Sequence, residues 1–222
     1  MSHPAGASGN PSGPAVASSS ALPDQESNQT LRTALRRARR ALDPRQQAQA
    51  SAGLCRVIAS LPTFRRAHRI AFYLAHGGEI DPRPLVALAT ALGKTCYLPV
   101  LHPLGHNRLY FVRHDRGAPL IPNRFGIPEP RLRSPAPAWS LDVIFMPLVA
   151  FDAAGNRLGQ GAGFYDRSLA TMRRRTGRHP LLIGLAHAFQ QVPQLHPAPW
   201  DVPLHGVATE HAFHPAAGHR HA

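Results

Sequence analysis

The chain has 222 residues, 43% of them hydrophobic, which suits one domain with a real core, while its longest apolar runs, residues 141–150 and 181–188, are too short to cross a bilayer. Cys55 and Cys96 have no spacing that suggests a disulfide framework or a zinc site, so the chain reads as a soluble cytoplasmic protein with packed or idle thiols. The formal net charge of +13 rests on arginine, with Lys94 the only lysine; it fits an anionic partner, nucleic acid or a polyanionic small molecule, or only a GC-rich genome.

Residues 1–27 are Ala, Gly, Ser and Pro with almost no large apolar side chain, and are read as a disordered leader. They have neither the basic start and apolar core of a secretory signal nor an arginine before Arg32. Leu31, Leu35, Ala38 and Leu42 then recur at helical spacing. Thr30 is a possible N-cap, and Asp43–Pro44 stops this helix and starts a second that reaches Ser60. Arg36, Arg37, Arg39 and Arg40 fill the remaining faces of the first helix and read mostly as a solvated surface.

The period then changes. Residues 69–75, 95–101, 109–114, 142–149 and 180–187 are short apolar runs, and helical patterns lie between several of them, notably over 82–92 and 164–175. This alternation predicts an α/β fold of three layers: a mainly parallel central sheet covered by helices on both faces, in a single domain over residues 28–210. The Pro- and Arg-rich stretch 116–138 is a long loop of the kind that is functional or mobile. Residues 211–222 carry His211, His214, His219 and His221 at irregular spacing and read as a flexible tail rather than a metal site.

Residues 155–167, GNRLGQGAGFYDR, hold four glycines directly after the most apolar strand and run into a helical pattern. A chain collects glycines where it needs unusual angles or close approach. The segment is not a Walker loop, for no Gly-Lys-Ser/Thr follows, and the G-x-G-x-G spacing is not the dinucleotide fingerprint. The glycines either only turn the chain or open backbone amides to a phosphate. Arg157 before the run and Asp166 after it favour phosphate, one supplying positive charge and the other a carboxylate for the Mg²⁺ that accompanies nucleotides.

Residues 148–169, LVAFDAAGNRLGQGAGFYDRSL, resemble the most characteristic segment of the 5-formyltetrahydrofolate cyclo-ligase family. The likeness extends, in order, through LRTALRRARRAL, GGEID, KTCYLPVLHP, IPEP, WDVPL and VAT. It implies an α/β enzyme of the cytoplasm, a monomer, that uses ATP and Mg²⁺ to close 5-formyltetrahydrofolate and its polyglutamates to 5,10-methenyltetrahydrofolate, releasing ADP and phosphate, with no nucleic-acid or membrane partner. By this resemblance Arg157, Leu158, Gly159, Gln160, Gly161, Ala162, Gly163, Phe164 and Tyr165 wrap ATP, and Gln160 to Phe164 also meet the folate. Arg157 and Asp166 are its catalytic pair, Asp166 and Asp201 its magnesium-side acids, and Arg32 a base reaching phosphates or substrate. Glu79 and Asp81 match acids near the pterin, or cap the helix that begins at Pro82. Phe125 matches a stacking aromatic, or simply packs. Asn28, Phe164 and His205 depart from the family's commonest lysine or arginine, tyrosine and aspartate. Two other readings stay open: a different phosphate-metabolite enzyme such as a sugar-phosphate isomerase, or a basic nucleic-acid-binding protein.

Overall fold

A computed structural model describes residues 1, 22–104, 106–170, 172, 176–177 and 179–217. Three helices open it, α1 (Leu22–Ala41), α2 (Pro44–Ser60) and α3 (Pro62–Arg66). Strand β1 (Arg69–Ala71), helix α4 (Arg83–Ala91) and strands β2 (Thr95–Leu101) and β3 (Leu109–Arg113) follow. A small hairpin of β4 (Leu120–Pro122) and β5 (Pro128–Pro130) precedes β6 (Val143–Pro147). A second hairpin, β7 (Ala150–Phe151) and β8 (Arg157–Leu158), leads to helix α5 (Phe164–Leu169). Strands β9 (Leu181–Leu185), β10 (Gly206–Ala208) and β11 (Phe213–Pro215) complete the chain.

The main sheet has seven strands in the order β11-β10-β9-β6-β1-β2-β3, parallel from β10 to β2 and antiparallel only at its two edges. Both faces are buried, as continuous apolar runs require. Along β6 the side chains alternate: Val143 and Phe145 join a core with Leu54 and Ile58 of α2, Phe64 of α3 and Leu85 of α4. Ile144 and Met146 join the opposite core with Leu169 of α5, Phe151 and Leu204. The three-layer α/β architecture with a mainly parallel sheet is therefore observed. Among the described residues no helix is long and apolar enough to cross a membrane.

Several boundaries differ from the sequence reading. Helix α1 begins at Leu22, inside the stretch read as leader, because a polar helical turn shows no apolar period. The glycine segment does not follow β6 directly; the hairpin β7–β8 intervenes, paired Ala150 to Leu158 and Phe151 to Arg157. Gly155 is its turn, with φ of 86°, and a Cβ there would come within 2.4 Å of the Ala216 methyl, so this glycine serves packing. The long loop contains the β4–β5 hairpin. His214 lies not in a loose tail but in edge strand β11, opposite Val207 of β10. His219, His221 and residues 171 and 173–175 of the helix expected over 164–175 lie outside the described residues.

This topology positions the site. From β1 the chain crosses to β2 on one side, whereas β6 lies on the other side of β1 and continues to β9 and β10. Such a reversal opens a crevice at the carboxyl ends of the strands, where ligands of open α/β sheets bind. The apolar stripe of α1 does not lie on the sheet: Leu31 and Leu35 pack against Ala150, Leu158 and Leu195, holding the helix over the hairpin and the glycine loop that follows it.

Candidate functional site

A cavity of about 330 Å³ occupies the crevice. Its floor is Tyr73 and Leu74 after β1, Leu98 and Pro99 of β2 and Pro147 of β6. One wall is the glycine loop from Gly159 to Asp166, another is the turn holding Asn123, Phe125 and Glu129, and the third is α1 through Arg36, Arg39 and Arg40. The lining is apolar at the floor and charged at the α1 side, so it suits a flat heterocycle carried next to an anion.

At the polar end, Arg157 on β8 pairs with Asp166 in the first turn of α5; the guanidinium is almost wholly buried. Asp166 Oδ1 also accepts the Val202 N–H at 3.1 Å. Arg157 Nε is buried without a hydrogen-bond partner, as is Arg39 Nε. A buried guanidinium N–H left unpaired is costly, so each is a donor waiting for an acceptor. Gly161, with φ of 103°, adopts a backbone conformation that residues with a Cβ resist. It turns the loop so that Gly159 and Gln160 face α1.

Helix α1 grips that loop. Arg32 Nε donates to the Gly159 carbonyl at 3.0 Å. Arg36 donates twice to Gln160, from Nε to the side-chain oxygen at 2.9 Å and from Nη2 to the backbone carbonyl at 2.7 Å. Gln160 in turn donates from Nε2 to Glu79 Oε1 at 2.9 Å, and Arg39 Nη1 stands 3.8 Å from the same oxygen. One chain of contacts thus joins the helix, the glycine loop and a buried acid.

Burial holds the Glu79 carboxyl above its ordinary range, against the pull of Arg39, the His76 N–H and Gln160. Burial likewise lowers the Arg39 pKa, opposed mainly by Glu79. For this loose pair, then, the loss of water outweighs mutual attraction. Tyr73 and Tyr165 are pushed up by burial first and by Glu79 second, so both hydroxyls stay protonated beside the acid. Burial also lowers the Arg32 pKa, with Arg36 acting in the same direction and Asp201 opposing.

Most of the residues singled out by sequence converge here. Arg157, Gly159, Gln160, Ala162, Gly163, Phe164, Tyr165, Asp166, Glu79 and Phe125 all line the cavity. Phe125 stands edge-on to Phe164 with ring centroids 5.8 Å apart at the mouth. Arg32 and Gly161 lie at the outer side of the loop, 3.9 Å from Arg32 Nε to where a Cβ on Gly161 would stand. Leu158 is buried under α1, which leaves only its backbone for a ligand. Asp81 is not in the cavity lining: its carboxylate takes the Arg83 N–H at 2.9 Å and the Arg83 guanidinium at 2.6 Å, a local contact just ahead of α4, whose N-cap is Pro82. Asp201 closes its own turn by accepting the Ala198 N–H at 2.9 Å. Among the described residues no group of three or more His, Cys, Asp or Glu side chains could hold a metal by protein ligands alone.

The sequence reading missed Tyr73, Arg36, Arg39, Arg40 and Glu129. Arg39 corrects the solvated-face reading directly, being 2% exposed and donating to the Leu148 carbonyl at 3.2 Å. Its signal was present: position 39 lies four residues after Leu35, on the apolar side of the helix. Glu129 accepts from Leu101 N–H and Asn123 Nδ2 at 3.1 and 3.0 Å, a role in shaping the cavity wall that no local pattern shows.

A family model described as the 5-formyltetrahydrofolate cyclo-ligase family matches residues 24–210. The chain is 40% identical over 184 residues to a Haemophilus influenzae protein named 5-formyltetrahydrofolate cyclo-ligase, covering 82% of this chain and 97% of that one. A protein of the same name from Escherichia coli K12 is 40% identical over 177 residues, covering 79% and 96%. Among solved structures, the NMR structure of Aquifex aeolicus 5,10-methenyltetrahydrofolate synthetase superposes with a TM-score of 0.74 at 29% identity, covering 88% of this chain and 95% of that one.

Proposed function

Since the chain belongs to the 5-formyltetrahydrofolate cyclo-ligase family and is a folate-metabolising ligase, we propose that it closes 5-formyltetrahydrofolate to 5,10-methenyltetrahydrofolate at the expense of ATP, with Mg²⁺, in the cavity described above. The observation that supports this best is the pairing of ends within one cavity: a buried carboxylate, Glu79, and a buried guanidinium with an unpaired Nε, Arg157, bridged by the glycine loop.

The reaction demands that arrangement. A formyl amide oxygen is a poor leaving group, so it is first made into one: the oxygen bonds to the γ-phosphorus of ATP and the bond from that phosphorus to ADP breaks. N10 then bonds to the formyl carbon and loses its proton, and the carbon–oxygen bond breaks to release phosphate. Positioning and neutralisation of charge carry such a reaction, without a covalent enzyme intermediate. Glu79 would hold the pterin edge by accepting N–H donors, with Phe125 at the mouth. Arg157 and Arg32 would place the phosphates along Gly159 to Gly163, the unpaired Arg157 Nε being the donor that a phosphate oxygen satisfies.

The donor set also fits Mg²⁺, which takes one or two carboxylates and completes its shell with water and phosphate oxygens. Both hydrogen bonds to Asp166 fall on Oδ1, which leaves Oδ2 for the metal, and Asp201 lies one residue from the Val202 that fixes Asp166. When bound there, Mg²⁺ would neutralise charge on the phosphates.

The test is turnover by the purified protein with ATP, Mg²⁺ and 5-formyltetrahydrofolate. The expected result is the methenyl chromophore appearing with one ADP for each product. Absence of both chromophore and ADP would remove this reading.

A further inference from the structure

Trp200 is 71% exposed, an uncommon place for so large an apolar surface. It is not left there by a loose chain. Residues 198–201 form a turn closed twice, by the Asp201 N–H on the Ala198 carbonyl at 2.9 Å and by the Asp201 carboxylate on the Ala198 N–H at 2.9 Å. Pro199 at its second position fixes φ and suits such a corner. The indole is therefore presented from a built, rigid support.

The two residues that follow tie this turn to the polar end of the site. The Asp201 carboxylate opposes the effect of burial on Arg32, whose Nε holds the Gly159 carbonyl at 3.0 Å. The Val202 N–H holds Asp166 Oδ1 at 3.1 Å. Trp200 is absent from the cavity lining that holds Glu79 and Phe125, so whatever it meets lies outside that cavity. A ligand whose phosphates cross the glycine loop can carry its remaining bulk outside the cavity.

We propose that Trp200 is the platform on which the nucleobase of the phosphoryl donor stacks, an assignment that rests on reading the glycine loop as the phosphate site. Stacking on an indole needs only a π-face, and alanine substitution at such platforms typically weakens binding to a measurable degree.

The experiment compares ATP with inorganic tripolyphosphate, which has the phosphates and no base. Trp200→Ala should raise the KM for ATP roughly tenfold, within the range of base–aromatic stacking. It should leave the KM for 5-formyltetrahydrofolate and the inhibition constant of tripolyphosphate unchanged, and Trp200→Phe should recover most of the loss. Of the two tryptophans, only Trp200 should respond to nucleotide. ADP should alter tryptophan emission in the wild type and in Trp139→Phe, and the response should vanish in Trp200→Ala.

An equal loss for ATP and tripolyphosphate would overturn the proposal, since the turn would then act only by fixing Asp166 and Arg32. So would an unchanged KM for ATP, or ATP-dependent turnover with no emission change. A wild-type protein that binds neither ATP nor tripolyphosphate overturns the phosphate-site reading itself, and the platform with it.

Discussion

Helices α1 and α2 are joined by Leu42 and Asp43 alone, yet they are held by opposite means. Helix α2 opens with a full capping box, Asp43 accepting the Gln46 N–H and Gln46 reaching back to the Asp43 N–H, with Pro44 at its start. It then lays Ala50, Leu54 and Ile58 on the sheet. Helix α1 sets Leu31 and Leu35 against the hairpin, and at the next position of the stripe it buries Arg39 instead of an apolar residue. Burying an ion that is loosely paired is poor practice for stability. The difference teaches which helix belongs to the core and which to the site: α2 is explained by packing alone, and α1 is not.

The largest expected effect tests that division. Arg39→Met leaves Glu79 buried without its cation, while the Leu148 carbonyl keeps its bond from Gln190 Nε2, and should cost about 3–5 kcal/mol in urea unfolding. Adding Glu79→Gln removes the stranded charge, so the double variant should regain most of that stability while remaining inactive. A double variant as unstable as the single would show that Arg39 serves packing, and the contrast between the helices would fall.

Leu54→Ala is the counterpart on α2. The side chain is fully buried, so its loss should cost about 2–5 kcal/mol, with KM and kcat unchanged well below the melting temperature. A changed KM would mean that α2 also sets the site. Next in size, Arg36→Ala removes its two bonds to Gln160, leaving the one from Gln160 to Glu79, and should raise the KM for ATP roughly tenfold, in the range of a hydrogen bond to a charged group, with little change in melting temperature. An unchanged KM would separate α1 from the glycine loop.

A smaller effect follows from Glu79 itself. Burial raises its carboxyl above the ordinary 4.5, so the fold favours the protonated form. The stability tied to this group is then full below about that value and is lost as pH rises through the raised one. Glu79→Gln removes this component, so the melting temperature of the wild type should fall relative to the variant as pH climbs from the acid range toward neutrality. Parallel curves would mean that Glu79 titrates as an ordinary carboxylate.

The sheet was legible because parallel strands covered on both faces are continuous apolar runs, and residues 142–149 could hardly be anything else. The β7–β8 hairpin was not, since two strands of two residues leave no period, and Gly155 looked like part of the phosphate loop when it turns a hairpin against Ala216. In the site, GNRLGQGAGFYDR announced itself through local chemistry. Tyr73, Glu129 and Arg39 act through partners 6 to 109 residues away, and sequence spacing does not show such contacts. Asp81 went the other way: its partner Arg83 is only two residues off, a contact that sequence spacing does show.

The smallest effect decides whether charge acts here by placement or by amount. Arg37 neighbours Arg36 on α1 but is exposed, so it shares the +13 surplus without touching the loop. If the surplus merely gathers anions, each exposed arginine contributes a little, and Arg37→Ala should lower kcat/KM at low salt and recover as screening sets in. If placement governs, as the bonds from Arg32 and Arg36 to the glycine loop imply, Arg37→Ala should match the wild type in stability to within about 0.5 kcal/mol and in kcat/KM at every salt concentration. A salt-dependent loss at Arg37 comparable to that at Arg36 would make α1 a basic surface rather than a built wall of the site.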